Sequence, residues 1–117
     1  QKLPKATQKR LNKALYNALK NNKPQKVVKN LLDGGSLAYA NFDGLIEAAE
    51  KGHLRVFRAM FTSLDSTTFL DKYTIEMCME EAEDMGHKIL HGYLQRQLPF
   101  LRTKLSDQNL NGLDDGF

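Results

Sequence analysis

The residues best equipped for chemistry lie between positions 76 and 91. His87 and His91 are four apart, which puts both imidazoles on one face of a helix, where such a pair can ligate zinc with Glu83 or Cys78 as further donors. Against that, His87 follows Gly86 just as His53 follows Gly52, 34 residues earlier. A histidine repeated at the same place in a turn is expected to hydrogen-bond backbone there, so no metal ligand is assigned. Cys78 is the single cysteine, set between Met77 and Met79 with Glu76, Glu80 and Glu81 close by. Burial and negative neighbours raise a thiol's pKa, the reverse of what a nucleophile requires. Five carboxylates, Glu76, Glu80, Glu81, Glu83 and Asp84, fall within nine residues, and such a density on a short helix reads as a solvated face. Gly34-Gly35 is not followed by the Lys-Ser/Thr of a phosphate loop. No catalytic residue and no cofactor is expected, and the chain reads as non-enzymatic.

A basic N-terminus is the second feature with chemical meaning. Residues 1–32 hold nine positive charges and no acid, whereas residues 33–117 sum to −6. Lys5, Lys9, Arg10 and Lys13 are the densest part of this basic patch, able to meet phosphate backbones or an anionic lipid surface. Tyr16 is the only aromatic residue among these 32, so a platform for stacking single-stranded bases is missing.

The elements that must carry these residues follow from the spacing. Leu11, Leu15, Ala18 and Leu19 form one face of a helix ending near Asn21. Pro24 suits the first turn of a second helix, which carries Val27, Val28, Leu31 and Leu32 and stops at Gly34-Gly35. A polar and aromatic connector, Ser36 to Phe42, leads to Asp43 as N-cap of a third helix with Leu45, Ile46, Ala48 and Ala49. The fourth runs from Leu54 through Val56, Phe57, Met60 and Phe61, and Leu64 to Thr68 read as a turn. A fifth spans about Asp71 to Met85, and a sixth starts near His87 and ends at Pro99, with a last helical turn over 100–105. No segment alternates as a strand does. The fold class is all-α, one domain over residues 1–105 with a flexible tail at 106–117. The lone cysteine speaks for a reducing, cytoplasmic compartment, and no apolar run approaches the ~20 residues of a membrane span.

Helices this short are marginal alone and must pair and stack. Ala48-Ala49-Glu50-Lys51-Gly52-His53-Leu54 recurs loosely as Ala82-Glu83-Asp84-Met85-Gly86-His87-Lys88, and Leu15 to Gly35 fits the same template with one inserted residue. The period and the middle motif resemble the ankyrin-repeat family. Three degenerate units are read at about 10–40, 41–66 and 67–98, with residues 43–61 the best match. The Thr-Pro-Leu-His tetrapeptide that opens a standard repeat is replaced in all three, by Asp43-Gly44-Leu45-Ile46 in the middle one.

The resemblance implies stacked antiparallel helix pairs, a short solenoid, and a non-catalytic module that binds a partner protein on its concave and turn-tip surface. On this chain that surface is expected to comprise Tyr39, Asn41, Phe42, Glu47, Glu50, Lys51, Asp71, Tyr73, Glu76 and Glu80. Ala48, Ala49, Val56, Phe57 and Met60 are expected in the core. With three units the surface is small, and the chain reads as part of a larger protein. Two other functions fit the same residues: nucleic-acid or anionic-lipid binding through the basic patch, and service as an accessory domain of a larger enzyme. A monomer is expected at physiological salt. Modules of this kind also occur in proteins that bacteria deliver into host cells.

Overall fold

A computed structural model of the chain describes residues 3–62 and 72–101. Among the described residues there are six α-helices and no strand: α1 (Lys5–Lys20), α2 (Gln25–Asp33), α3 (Phe42–Glu50), α4 (Leu54–Thr62), α5 (Lys72–Asp84) and α6 (Lys88–Gln97). Two 3-10 turns, Ala38–Ala40 and Leu98–Phe100, complete them. The all-α expectation holds. No helix among the described residues is long and apolar enough to cross a membrane.

Three of the helices have nine residues each, too short to persist in water without partners. Each sinks its apolar row into one shared core: Leu15 and Leu19 of α1, Val28 of α2, Leu45 of α3, Val56, Phe57 and Met60 of α4, Ile75 of α5 and Leu94 of α6 are wholly buried. Ala48 and Ala49 are wholly buried as expected, and the reason is the position of α3, which packs against α1 on one side and α5 on the other. Small residues let three backbones converge there. Gly44 makes the same point from inside α3, because a Cβ on it would lie 3.0 Å from the ring of Tyr16. Behind this row α2 packs on α4, while α1–α2 and α5–α6 are in direct contact.

The same turn closes α1, α3 and α5. A residue with left-handed backbone follows each helix (Asn22, Gly52 and Gly86, φ 52°, 75° and 80°). The next amide then donates back to the carbonyl of a buried alanine: Lys23 to Ala18 at 3.0 Å, His53 to Ala48 at 2.8 Å and His87 to Ala82 at 2.8 Å. This 6→1 bond is the Schellman stop, which satisfies a carbonyl that the helix end would otherwise orphan.

Several local expectations need correction. Asp43 is not the N-cap of α3: the helix begins at Phe42 with Asn41 in the cap position, and Asp43 sits in the first turn, where its charge suits the helix dipole. Pro24 stands just before α2 rather than within its first turn. The connector is not a free tip but is tied to α1. Ser36 is buried and its hydroxyl donates to the Leu11 carbonyl at 2.6 Å, while Asn12 Oδ1 accepts from the Leu37 amide at 2.9 Å. The turn read at 64–68, residues 102–105 of the helical turn read at 100–105, and the tail at 106–117 lie outside the described residues.

Candidate binding surface

His53, His87 and Cys78 are each engaged with the fold. His53 Nδ1 is 3.0 Å from the Leu19 carbonyl oxygen and His87 Nε2 is 2.8 Å from that of Glu50. A carbonyl only accepts, so each of these ring nitrogens carries the proton. Each imidazole thus fastens the start of a second helix to the end of the first helix of the preceding pair, α4 to α1 and α6 to α3. That is the shared backbone role the repeated Gly-His pair implied. No group of three metal-ligating side chains occurs among the described residues. Cys78 is fully buried, and burial, aided by the charge of Glu81, pushes its thiol up to about 12.

The residues expected to bind a partner fall into three places. The first joins α1 to the start of α3, where Lys13, Tyr16, Asn41, Phe42 and Asp43 line a shallow depression of about 360 Å³. Phe42 is partly exposed there at 39%. Asn41 departs from expectation: it is 6% exposed, and its side-chain amide donates to the Leu37 carbonyl at 3.0 Å. One N–H of that amide is thus engaged by the connector's own backbone, although Asn41 still lines the depression. The side chain of Tyr39 and all of Asp71 lie outside what the structure describes.

The second place is the middle of α3. Glu47 takes a 2.9 Å ion pair from Lys51, one turn along, and accepts from the Tyr16 hydroxyl of α1 at 3.4 Å. The Lys20 ammonium lies 5.6 Å from the centre of the Tyr16 ring. The hydrogen bond from Lys51 leads in holding the Glu47 carboxyl below its usual value, with the charges of Lys51 and Lys20 adding to it against partial desolvation. Glu50 is exposed, and its contact with the fold is the carbonyl that receives His87.

The third place is the exposed side of α5. Tyr73, Glu76 and Glu80 come together there, in a second depression of about 360 Å³ shared with Met77, Met79, Glu83 and His91. Tyr73 is 62% exposed, while Ile75, Cys78 and Ala82 on the opposite side of the helix are buried. Among the described residues, Lys51–Glu47 is the only ion pair, so Glu76, Glu80 and Glu83 stand without a cation. Met77, Met79, Glu83 and His91 were not among the residues expected to bind a partner. The 3- and 4-residue steps from Tyr73 to Glu76, Met77, Glu80 and Glu83 would have found most of them. Tyr16, which links α1 to α3, had no such signal.

The basic patch is solvent-facing: Lys5, Lys9, Arg10 and Lys13 are all exposed on α1. It lies in the first helix pair and the acidic side of α5 in the last. Compared with family models, with curated proteins and with solved structures, the chain matches none.

Proposed function

We propose that this chain is a non-catalytic protein-interaction module, a short ankyrin-like array of three helix pairs within a larger protein. It binds a partner protein across the exposed sides of its first helices, with Tyr73, Glu76 and Glu80 of α5 as the principal contacts and Glu47, Lys51 and Phe42 around them. The observation that carries this is the α5 face itself. An aromatic ring and three carboxylates that have no cation among the described residues are exposed, beside two half-buried methionines, on a helix whose other side is anchored in the core. Large rings with one polar end make good interface anchors, and the charges around them select partners. The array is supported by α3 lying between α1 and α5, by the turn repeated after each of these helices, and by the two histidine bridges.

A photo-crosslinking amino acid at position 73 of the full-length protein, in extracts of the source cells, tests it. A discrete protein adduct is expected, lost on Glu76→Lys with Glu80→Lys and retained on Lys9→Gln with Lys13→Gln. The exposed lysines of α1 favour one other reading, binding to nucleic acid or anionic lipid. That reading predicts binding to duplex DNA or anionic vesicles that falls steeply with salt and vanishes on neutralising Lys5, Lys9 and Lys13. Such an outcome, with no adduct at position 73, would replace the interaction module by a polyanion binder.

A further inference from the structure

We infer that the α5 face takes a basic amphipathic α-helix of a partner protein. The inference rests on the interaction-module function proposed above and specifies the partner's chemistry.

Glu76, Glu80 and Glu83 step by four and three residues, so they spread over about 10 Å of one helix side at ~1.5 Å per residue. Lysines or arginines at i, i+4 and i+7 of a second helix have the same spacing and supply the charge these carboxylates lack. Exposed ion pairs alone hold little. The apolar share must come from the Tyr73 ring, one turn before Glu76, and from the thioethers of Met77 and Met79, which adapt to irregular apolar partners. Other ways of holding a peptide fit less well. No strand edge exists among the described residues to accept an added strand, and a proline-rich segment wants a groove lined by several aromatics, where this one has Tyr73 alone.

A second copy of this chain is the nearest rival, because Lys5, Lys9 and Lys13 of α1 are exposed at four-residue spacing. No large apolar side chain is exposed along α1, however, so it has nothing to lay on Tyr73 and the methionines. The occupant is therefore a helix that carries apolar residues beside its cations.

The test uses a fluorescent peptide of about 14 residues, roughly four helical turns, with lysines at i, i+4, i+7 and i+11 and leucines on the adjoining stripe. A scrambled peptide of the same composition is the control, and both are titrated with the full chain by anisotropy at ~0.15 M salt. The patterned peptide is expected to bind at least about tenfold more tightly than the scrambled one. Tyr73→Ala, and Glu76→Gln with Glu80→Gln, are each expected to weaken it at least about fivefold, while Lys5→Gln with Lys9→Gln leaves it unchanged. Circular dichroism checks that the helices persist. Equal binding of the two peptides, or indifference to Tyr73→Ala, overturns the inference. So does self-association of the chain at ~0.15 M salt that Glu76→Gln with Glu80→Gln abolishes, which would make a second copy the occupant. An adduct at position 73 that the patterned peptide fails to displace leaves the interaction module standing and removes the basic helix; no adduct at all removes both.

Discussion

The ring of His87 lies against the backbone of Gly52, so near that a Cβ on Gly52 would stand 2.7 Å from Nδ1 and 2.9 Å from two ring carbons. The ring cannot easily swing aside, because its Nε2 is held by the Glu50 carbonyl at 2.8 Å. A residue in the turn after α3 and one in the turn after α5 therefore fit as a pair, and that contact ties the start of α6 to the end of α3.

Gly52 and Gly86 offer a controlled comparison. Both have positive φ, 75° and 80°, so alanine at either meets the left-handed penalty of ~1–2 kcal/mol. Around Gly86 a Cβ would find nothing within 4 Å, whereas at Gly52 it would strike His87. Gly52→Ala is expected to lose more stability in urea than Gly86→Ala, by about 1 kcal/mol or more, the scale of overpacking. In a His87→Ala background the difference should close. Equal losses in the native background would show that the His87 ring moves freely and does not tie α6 to α3.

The contrast between these two glycines was not legible in the sequence, although the Gly-His pairs themselves were. Periodic burial is written into residue type, so Val56, Phe57, Met60, Ala48 and Ala49 could be assigned to the core from spacing alone. Polar burial is not. Ser36 and Asn41 read as surface because nothing local says that Leu11 and Asn12, some 25 residues away, would tie their loop to α1. The first turn uses Asn22 where the others use glycine, since asparagine tolerates left-handed backbone, and that substitution blurred the repeat at its start. On α5 the charged and aromatic members of the surface were legible from their types. Its methionines were not, because the same residues serve equally well in a core.

Ala49→Leu tests the convergence of helices at α3. Ala49 is wholly buried where α3 meets its neighbours, and three added heavy atoms have no space to enter. A loss of about 1–3 kcal/mol is expected, seen as a fall of roughly 4 °C or more in the melting temperature. An unchanged Tm would mean that the helices over 43–61 do not meet there.

Cys78 gives the fold a pH dependence at the alkaline end. Its ordinary value is 9.0, and in the folded chain burial first, then Glu81, raises it to about 12. Below pH ~9 the thiol is protonated both folded and unfolded, and it adds no slope. Between pH ~9 and ~12 the unfolded chain releases the proton while the native one keeps it. Stability from this group therefore falls as pH rises, by about 1.4 kcal/mol per pH unit. Urea unfolding of the native chain and of Cys78→Ala at pH 8 and 10.5 is expected to show a steeper decline for the native chain. Parallel declines would show that the Cys78 thiol titrates as it does in water.

The division of charge along the chain sets how copies of it meet. Residues 1–32 carry +9 and the remainder −6, with the exposed lysines of α1 in the first helix pair and the acidic side of α5 in the last. A contact between these two regions would be heterologous, joining head to tail, so it need not close and could extend into short chains. Its strength is limited, because exposed ion pairs give roughly 0–1 kcal/mol each and charges are screened beyond about 8 Å at physiological salt. With no large apolar side chain exposed along α1, such a contact gains little hydrophobic burial. Light scattering across a salt series is expected to find a monomer at ~0.15 M and association only at ~0.01 M and high protein concentration, where the screening length grows to about 30 Å. Glu76→Gln with Glu80→Gln should remove that low-salt association. A dimer that survives ~0.5 M salt would instead place the driving force in apolar surface. Attention would then turn to Ile89, Met85 and Phe100, which are 75%, 55% and 82% exposed.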